Sequence, residues 1–154
     1  MELFENELKK VLAKVAKRGV AVLATSAADH VSSRPVSVVV YDGKIVFQTS
    51  TKLLKYQQIQ KNQQVALCVD NIQIEGTAVL GGRPSEDHRF SEAYREKHLG
   101  SYTNYSHMDS SRVIEVQPQK ITMWVYKDKE PYIVTFQIDA QELEAEYYSH
   151  STVD

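Results

Sequence analysis

The sequence predicts a mainly β chain, a small antiparallel β-barrel of six or more strands with helices on its outside. Three observations predict it. Short segments rich in β-branched residues recur along the chain, among them VSSRPVSVVVY, KIVFQT, VALCV and IQIEGTAVL. Turn signals separate them, and Asp42-Gly43 between two such segments reads as a tight hairpin. No internal repeat or low-complexity linker divides the 154 residues, a length that suits a single domain spanning 1–154.

Composition narrows the classes. A formal charge of -2, with 25% charged and 42% apolar residues, is ordinary for a globular chain and argues against a nucleic-acid binder. No apolar run approaches the length of a membrane span, and MELFENELKK opens with acids rather than the basic segment of a signal peptide. The single cysteine, Cys68, has no partner for an internal bridge, which fits a reducing compartment, so a cytoplasmic location is expected. Its apolar neighbours Leu67 and Val69 predict a buried thiol.

Residues 1–18 carry Leu3, Phe4, Leu8, Val11, Leu12 and Val15 at helical spacing, with acids in the first turns and Lys14, Lys17 and Arg18 in the last, as the helix dipole favours. Gly19 is the expected stop. The barrel is expected over 20–138. Its first strand runs Val20 to Ser26, a polar turn spans Ala27 to His30, and a second strand runs Val31 to Tyr41. Pro35 cannot donate to a ladder, so it is expected at an edge or bulge. Lys44 to Thr49 pairs back across the hairpin. Thr49, Ser50 and Thr51 offer cap hydroxyls for a helix near 51–62, with Leu53, Leu54 and Ile59 on its apolar side and Asn62 at its end. Strands are expected at Val65 to Val69 and Ile72 to Leu80, with Gly76 marking a close backbone approach.

Pro84 to Leu99 reads as a helix, and Gly100 to Ser111 as a polar loop that either covers a site or crosses the surface. Arg112 to Gln117 and Lys120 to Tyr126 read as strands parted by Pro118, followed by a last strand from Tyr132 to Ile138. The tail 139–154 has five carboxylates and no Lys or Arg, and is expected to be a solvated acidic helix. His88, His98 and His107 lack metal-ligand spacing, so no metal is expected. No Ser/His/Asp or paired-carboxylate arrangement suggests hydrolysis, and no catalytic residue is assigned.

The chemistry-bearing signal lies from Gly43 to Val69, which holds Lys44, Lys52, Lys55 and Lys61 and no carboxylate. Hydroxyls, free backbone N–H groups and lysines near a helix start form a phosphate cradle, to which Arg34 on the preceding strand adds a bidentate donor. A solvated basic helix face fits the same residues. The order SRPV, VVVYDGKIVFQTS, TKLLKYQQIQKNQQVALCV and IEGTAVL, over roughly residues 5 to 127, resembles the pyridoxamine 5′-phosphate oxidase-like family of FMN-binding split barrels. The resemblance implies a homodimer with each flavin at the subunit interface. It assigns the flavin phosphate to Arg34 and Lys55, and lays Gln48 and Thr49 along the flavin. Trp124 is implied to pack by the flavin from the partner chain. The full set of implied cofactor contacts is Arg34, Pro35, Val36, Gln48, Thr49, Lys52, Lys55, Asn71 and Trp124.

Two departures shape the expected function. Val39 and Leu54 stand where the authentic oxidase has cations, with Lys52 a substitute for one, and the Arg-x-His motif that holds pyridoxal has no counterpart after Trp124. The expectation is therefore a small FMN-dependent oxidoreductase with a small-molecule substrate, other than pyridoxamine phosphate. The rival is a non-catalytic flavin- or haem-holding protein, with His150 matching the C-terminal histidine of haem-binding relatives. Deazaflavin is the remaining cofactor alternative.

Overall fold

The computed structural model describes residues 2–149. Helix α1 (Glu2–Arg18) buries Phe4, Val11, Leu12 and Val15 on the barrel and leaves Leu3 exposed. Gly19 ends it at φ +69°, its N–H donating to Val15 O at 3.0 Å. Strands β1 (Val20–Ala27) and β2 (His30–Ser37) form a hairpin turned by Ala28 and Asp29, both at positive φ. After β3 (Val39–Tyr41), Asp42 and Gly43, again at positive φ, return the chain into β4 (Lys44–Ser50). Helix α2 (Leu54–Lys61) leads to the hairpin of β5 (Gln64–Val69) and β6 (Ile72–Leu80). A 3-10 turn at Pro84–Glu86 precedes α3 (His88–Lys97) and α4 (Leu99–Tyr105). Then come β7 (Ser111–Lys127), β8 (Glu130–Gln137) and β9 (Glu142–Tyr147).

All nine strands pair antiparallel in the order β2-β1-β5-β6-β7-β4-β3, with β8 on β7 and β9 on β8. The two ends of that path, β2 and β3, are consecutive in the chain and joined through Val38. The segment Val31 to Tyr41, expected as one strand, is thus split between the two sheet ends. Val38 is fully buried at the junction and donates its N–H to Gly19 O at 2.8 Å, while His98 Nε2 donates to Val38 O at 2.8 Å. The chain itself closes the barrel there. Pro35 lies on β2, an edge strand in unbroken register with β1, as its missing donor requires.

The longest strand, β7, changes partner along its length. Its first half pairs with β4 and its second with β8, while β6 runs along both. Pro118 does not part it into two strands; instead Glu75 faces Lys120 and Gly76 faces Pro118, leaving Gln119 as a bulge that absorbs the proline. Gly76 allows the closest approach, since a Cβ there would stand 2.6 Å from Gln117 O.

Other expectations are corrected. Cys68 is exposed, because Val65, Leu67 and Val69 take the inward positions of β5 and the two-residue period sends Cys68 outward. Helix α2 starts at Leu54, with no side-chain cap, and buries Tyr56, Gln58 and Ile59 rather than Leu53 and Leu54. Thr49 and Ser50 belong to β4. Asn62 does close α2. The helix expected over Pro84 to Leu99 is a 3-10 turn followed by α3, whose N-terminus is capped by Asp87 accepting from Phe90 N–H. The first half of the loop expected over Gly100 to Ser111 belongs to α4 (Leu99–Tyr105). The acidic tail forms β9, since Glu142, Glu144 and Glu146 alternate with Leu143, Ala145 and Tyr147. His150 lies outside the described residues.

A main core fills the barrel around Leu23, Ile45, Phe47, Leu67, Ile74 and Ile121. A second, smaller cluster of Val39, Val46, Phe90, Tyr94 and Val113 fixes α3 and α4 to the outside of β3 and β4. Strand β4 is consequently covered on both faces, and its last residues run out beneath α4.

Candidate functional site

Arg34 and Val36 occupy inward positions of β2, with Ser32 two residues before on the same face, while Pro35 points outward and is exposed. The Arg34 guanidinium turns toward β1. Its Nη1 donates to Thr25 Oγ1 at 2.7 Å and Leu23 O at 3.4 Å, and its Nη2 donates to Ser32 Oγ at 2.5 Å. Lys55, in the first turn of α2, is half-buried. Burial lowers the pKa of both cations, and the charge of Arg34 lowers that of Lys55 further. Lys10, Arg18, Lys44, Arg83 and Arg89 each pair with a carboxylate, but Arg34 and Lys55 meet none among the described residues.

Next to Lys55 lies a cavity of about 190 Å³ whose wall includes Gln48, Thr49 and Ser50 of β4, Leu53, and Tyr105 and Met108 from the α4 side. Thr49 is buried, and its Oγ1 has no hydrogen-bond partner among the described residues. Gln48 is clamped to the α4 region, donating to Ser101 O at 3.5 Å and accepting from Ser106 Oγ at 2.6 Å. Two part-buried cations without an acid among the described residues, and a buried hydroxyl without a partner there, are what a bound anion would relieve. The cavity falls below the roughly 300–1,000 Å³ usual for ligand sites. It suits one end of a ligand rather than the whole.

Of the residues expected from sequence, the fold brings Gln48, Thr49 and Lys55 to one cavity, while Arg34 is not part of its wall and acts on Lys55 through its charge. Lys52 is exposed and engaged through its backbone, its N–H donating to Ser50 Oγ at 3.2 Å and its carbonyl accepting from Gln57 Nε2 at 3.5 Å. Val36 is buried in the core. Asn71 and Trp124 form a separate cluster, in which Asn71 Nδ2 donates to Trp124 O at 2.5 Å and the Trp124 ring meets Tyr148 edge-on at 4.7 Å. Sequence reasoning missed Thr25, Ser32 and Gln58 around Arg34, and the contribution of α4. Ser32 and Arg34, two apart in one strand, were the available signal.

The sequence model of the pyridoxamine 5′-phosphate oxidase family matches residues 7–125. The chain belongs to this family. No curated protein matches the sequence significantly. Solved structures share its fold. A putative pyridoxamine 5′-phosphate oxidase from Listeria innocua is 22% identical, with 75% of this chain and 96% of that one covered and a TM-score of 0.58. A pyridoxamine 5′-phosphate oxidase-related, FMN-binding protein from Nostoc punctiforme is 13% identical, with 94% of each chain covered and a TM-score of 0.59. HutZ, the haem storage protein of Vibrio cholerae, is 14% identical, covers 78% of this chain and 94% of its own, and has a TM-score of 0.62. Strands β8 and β9 lie beyond the residues matched by the pyridoxamine 5′-phosphate oxidase family model. The cavity beside Lys55 lies within them.

Proposed function

We propose that this protein binds FMN as a homodimer and acts as a small oxidoreductase of the cytoplasm on a small-molecule substrate other than pyridoxamine phosphate. The observation that carries the reading is the pair Arg34 and Lys55, two part-buried cations with no acid among the described residues. A phosphate monoester of charge near -2 would neutralise them. Thr49 Oγ1 would gain the partner it lacks. Gln48, held by Ser101 and Ser106, and the apolar Leu53 and Met108 would line the adjoining part of the ligand and exclude water.

When bound, the flavin supplies hydride acceptance and onward transfer to oxygen or another acceptor. The protein's own groups bind, orient and cover it. An exposed apolar strip on the outer face of β1 and its neighbours, with Val20 and Val22 beside Cys68 and Pro35, favours a second copy completing the small cavity, and Asn71 and Trp124 are proposed to serve the partner's site. Among the described residues no helix is long and apolar enough to cross a membrane.

A second reading, a protein that holds flavin or haem without turnover, draws on the likeness to the haem storage protein and on the lack of a pyridoxal-binding Arg-x-His motif. Visible spectra of the purified protein, titrated with FMN and separately with haem, test both. Flavin bands perturbed on stoichiometric binding support the first reading; a Soret band with no response to FMN overturns it.

A further inference from the structure

The geometry points to Gln58 as the residue that positions Arg34 and keeps its charge available for an anion, an inference that rests on the phosphate reading above. Gln58 lies on α2, three residues after Lys55, and is 4% exposed. Its side chain enters the β1–β2 hairpin. There Oε1 accepts from Thr25 Oγ1 at 2.5 Å and from Ser32 Oγ at 2.9 Å, while Nε2 donates to His30 O at 3.1 Å. Thr25 and Ser32 are the same two hydroxyls that accept from Arg34.

A hydroxyl has one proton and two lone pairs. With both protons directed at Gln58 Oε1, both oxygens present only lone pairs to the guanidinium. The result is a two-layer arrangement, glutamine to hydroxyls to arginine, in which every donor faces an acceptor. Without Gln58, either hydroxyl is free to turn its proton toward Arg34, and the orientation is lost. The His30 contact fixes which end of the amide faces inward.

The scaffold is also uncharged. Buried arginines are ordinarily matched by a carboxylate, which neutralises them as it holds them. Arg34 is held by two hydroxyls and a carbonyl, so its charge remains unspent. Of its five N–H donors, the three contacts leave Nε and one Nη2 proton unengaged among the described residues, enough for a bidentate oxyanion contact. Helix α2 therefore contributes twice to the anion site: Lys55 supplies a second cation, and Gln58, one turn later, aims the first.

Dissociation constants for FMN and for riboflavin, which lacks the phosphate, separate this role from a structural one. Wild type is expected to prefer FMN strongly. Gln58→Leu should lower FMN affinity by about tenfold, the worth of one charge-assisted hydrogen-bond arrangement, while riboflavin affinity stays within about twofold. Gln58→Glu keeps the shape but places a carboxylate behind the guanidinium. It should lose more FMN affinity at pH 8 than Gln58→Leu, and recover part of it, relative to wild type, at pH 5 as that carboxyl takes a proton. Equal losses for FMN and riboflavin in both variants would make Gln58 a scaffold residue only and overturn the inference. A wild type that binds the two ligands equally would instead remove the phosphate reading itself, and this inference with it.

Discussion

Thr49 holds a hydroxyl that is buried in β4 and has no hydrogen-bond partner among the described residues, an arrangement that costs the free protein about 1–3 kcal/mol. Thr49→Val removes the hydroxyl at nearly constant shape. Free protein should gain roughly 1 kcal/mol in a denaturant melt, and FMN should bind more weakly, opposite signs that a merely structural threonine would not give. Lys55 yields a pH prediction. Burial and Arg34 hold its free-state pKa below the ordinary lysine value, and a bound dianion would raise it again, so the complex holds more protons than the free protein. FMN affinity should therefore fall as pH rises through the lowered pKa, before ordinary lysines titrate, and Lys55→Arg should move that fall to higher pH. Lys55 was legible in the sequence as one of four lysines in a stretch without an acid, and Arg34 chiefly through the family resemblance. Thr25, Ser32 and Gln58 were not, since their meaning arises only where two strands and a helix meet.

Among the elements, strands were read more faithfully than ends and connections. Alternation located β1, β5 and β6 within about a residue, since period-2 patterning and turn residues are local signals. The same period ran through ELEAEY, yet its acids suggested a helix; pairing with β8 decides the matter by giving Leu143 a place against Phe136. Leu53 and Leu54 looked like a buried face, but the barrel receives the opposite side of α2, where Tyr56, Gln58 and Ile59 lie. At the β6–β7 bulge Gly76 leaves no room for a side chain. Gly76→Ala would press a methyl onto Gln117 O and should destabilise the protein by about 1–3 kcal/mol in a denaturant melt, without the chain losing its sheet by circular dichroism.

At the level of the whole molecule, the barrel is closed by one residue, Val38, whose flanking strands sit at opposite ends of the sheet path. That closure brings β2, with Arg34, to the same rim as the end of β4, with Thr49, and α2 spans the rim with Lys55. These residues are apart in sequence; the fold brings Thr49 and Lys55 to one cavity, and Arg34 is proposed to complete the site. The cavity is small for a whole ligand, and the exposed strip around Val22 is where a second copy is proposed to sit and complete it. Val22→Glu should shift the mass in solution from dimer to monomer by light scattering and weaken FMN binding in parallel.

The most direct measurement is the FMN dissociation constant of wild type against the Arg34→Ala/Lys55→Ala double variant, with both proteins shown to melt cooperatively. Removing two charge-assisted contacts predicts a loss of at least about a hundredfold. An unchanged constant would contradict the account, because the phosphate would then be held somewhere else.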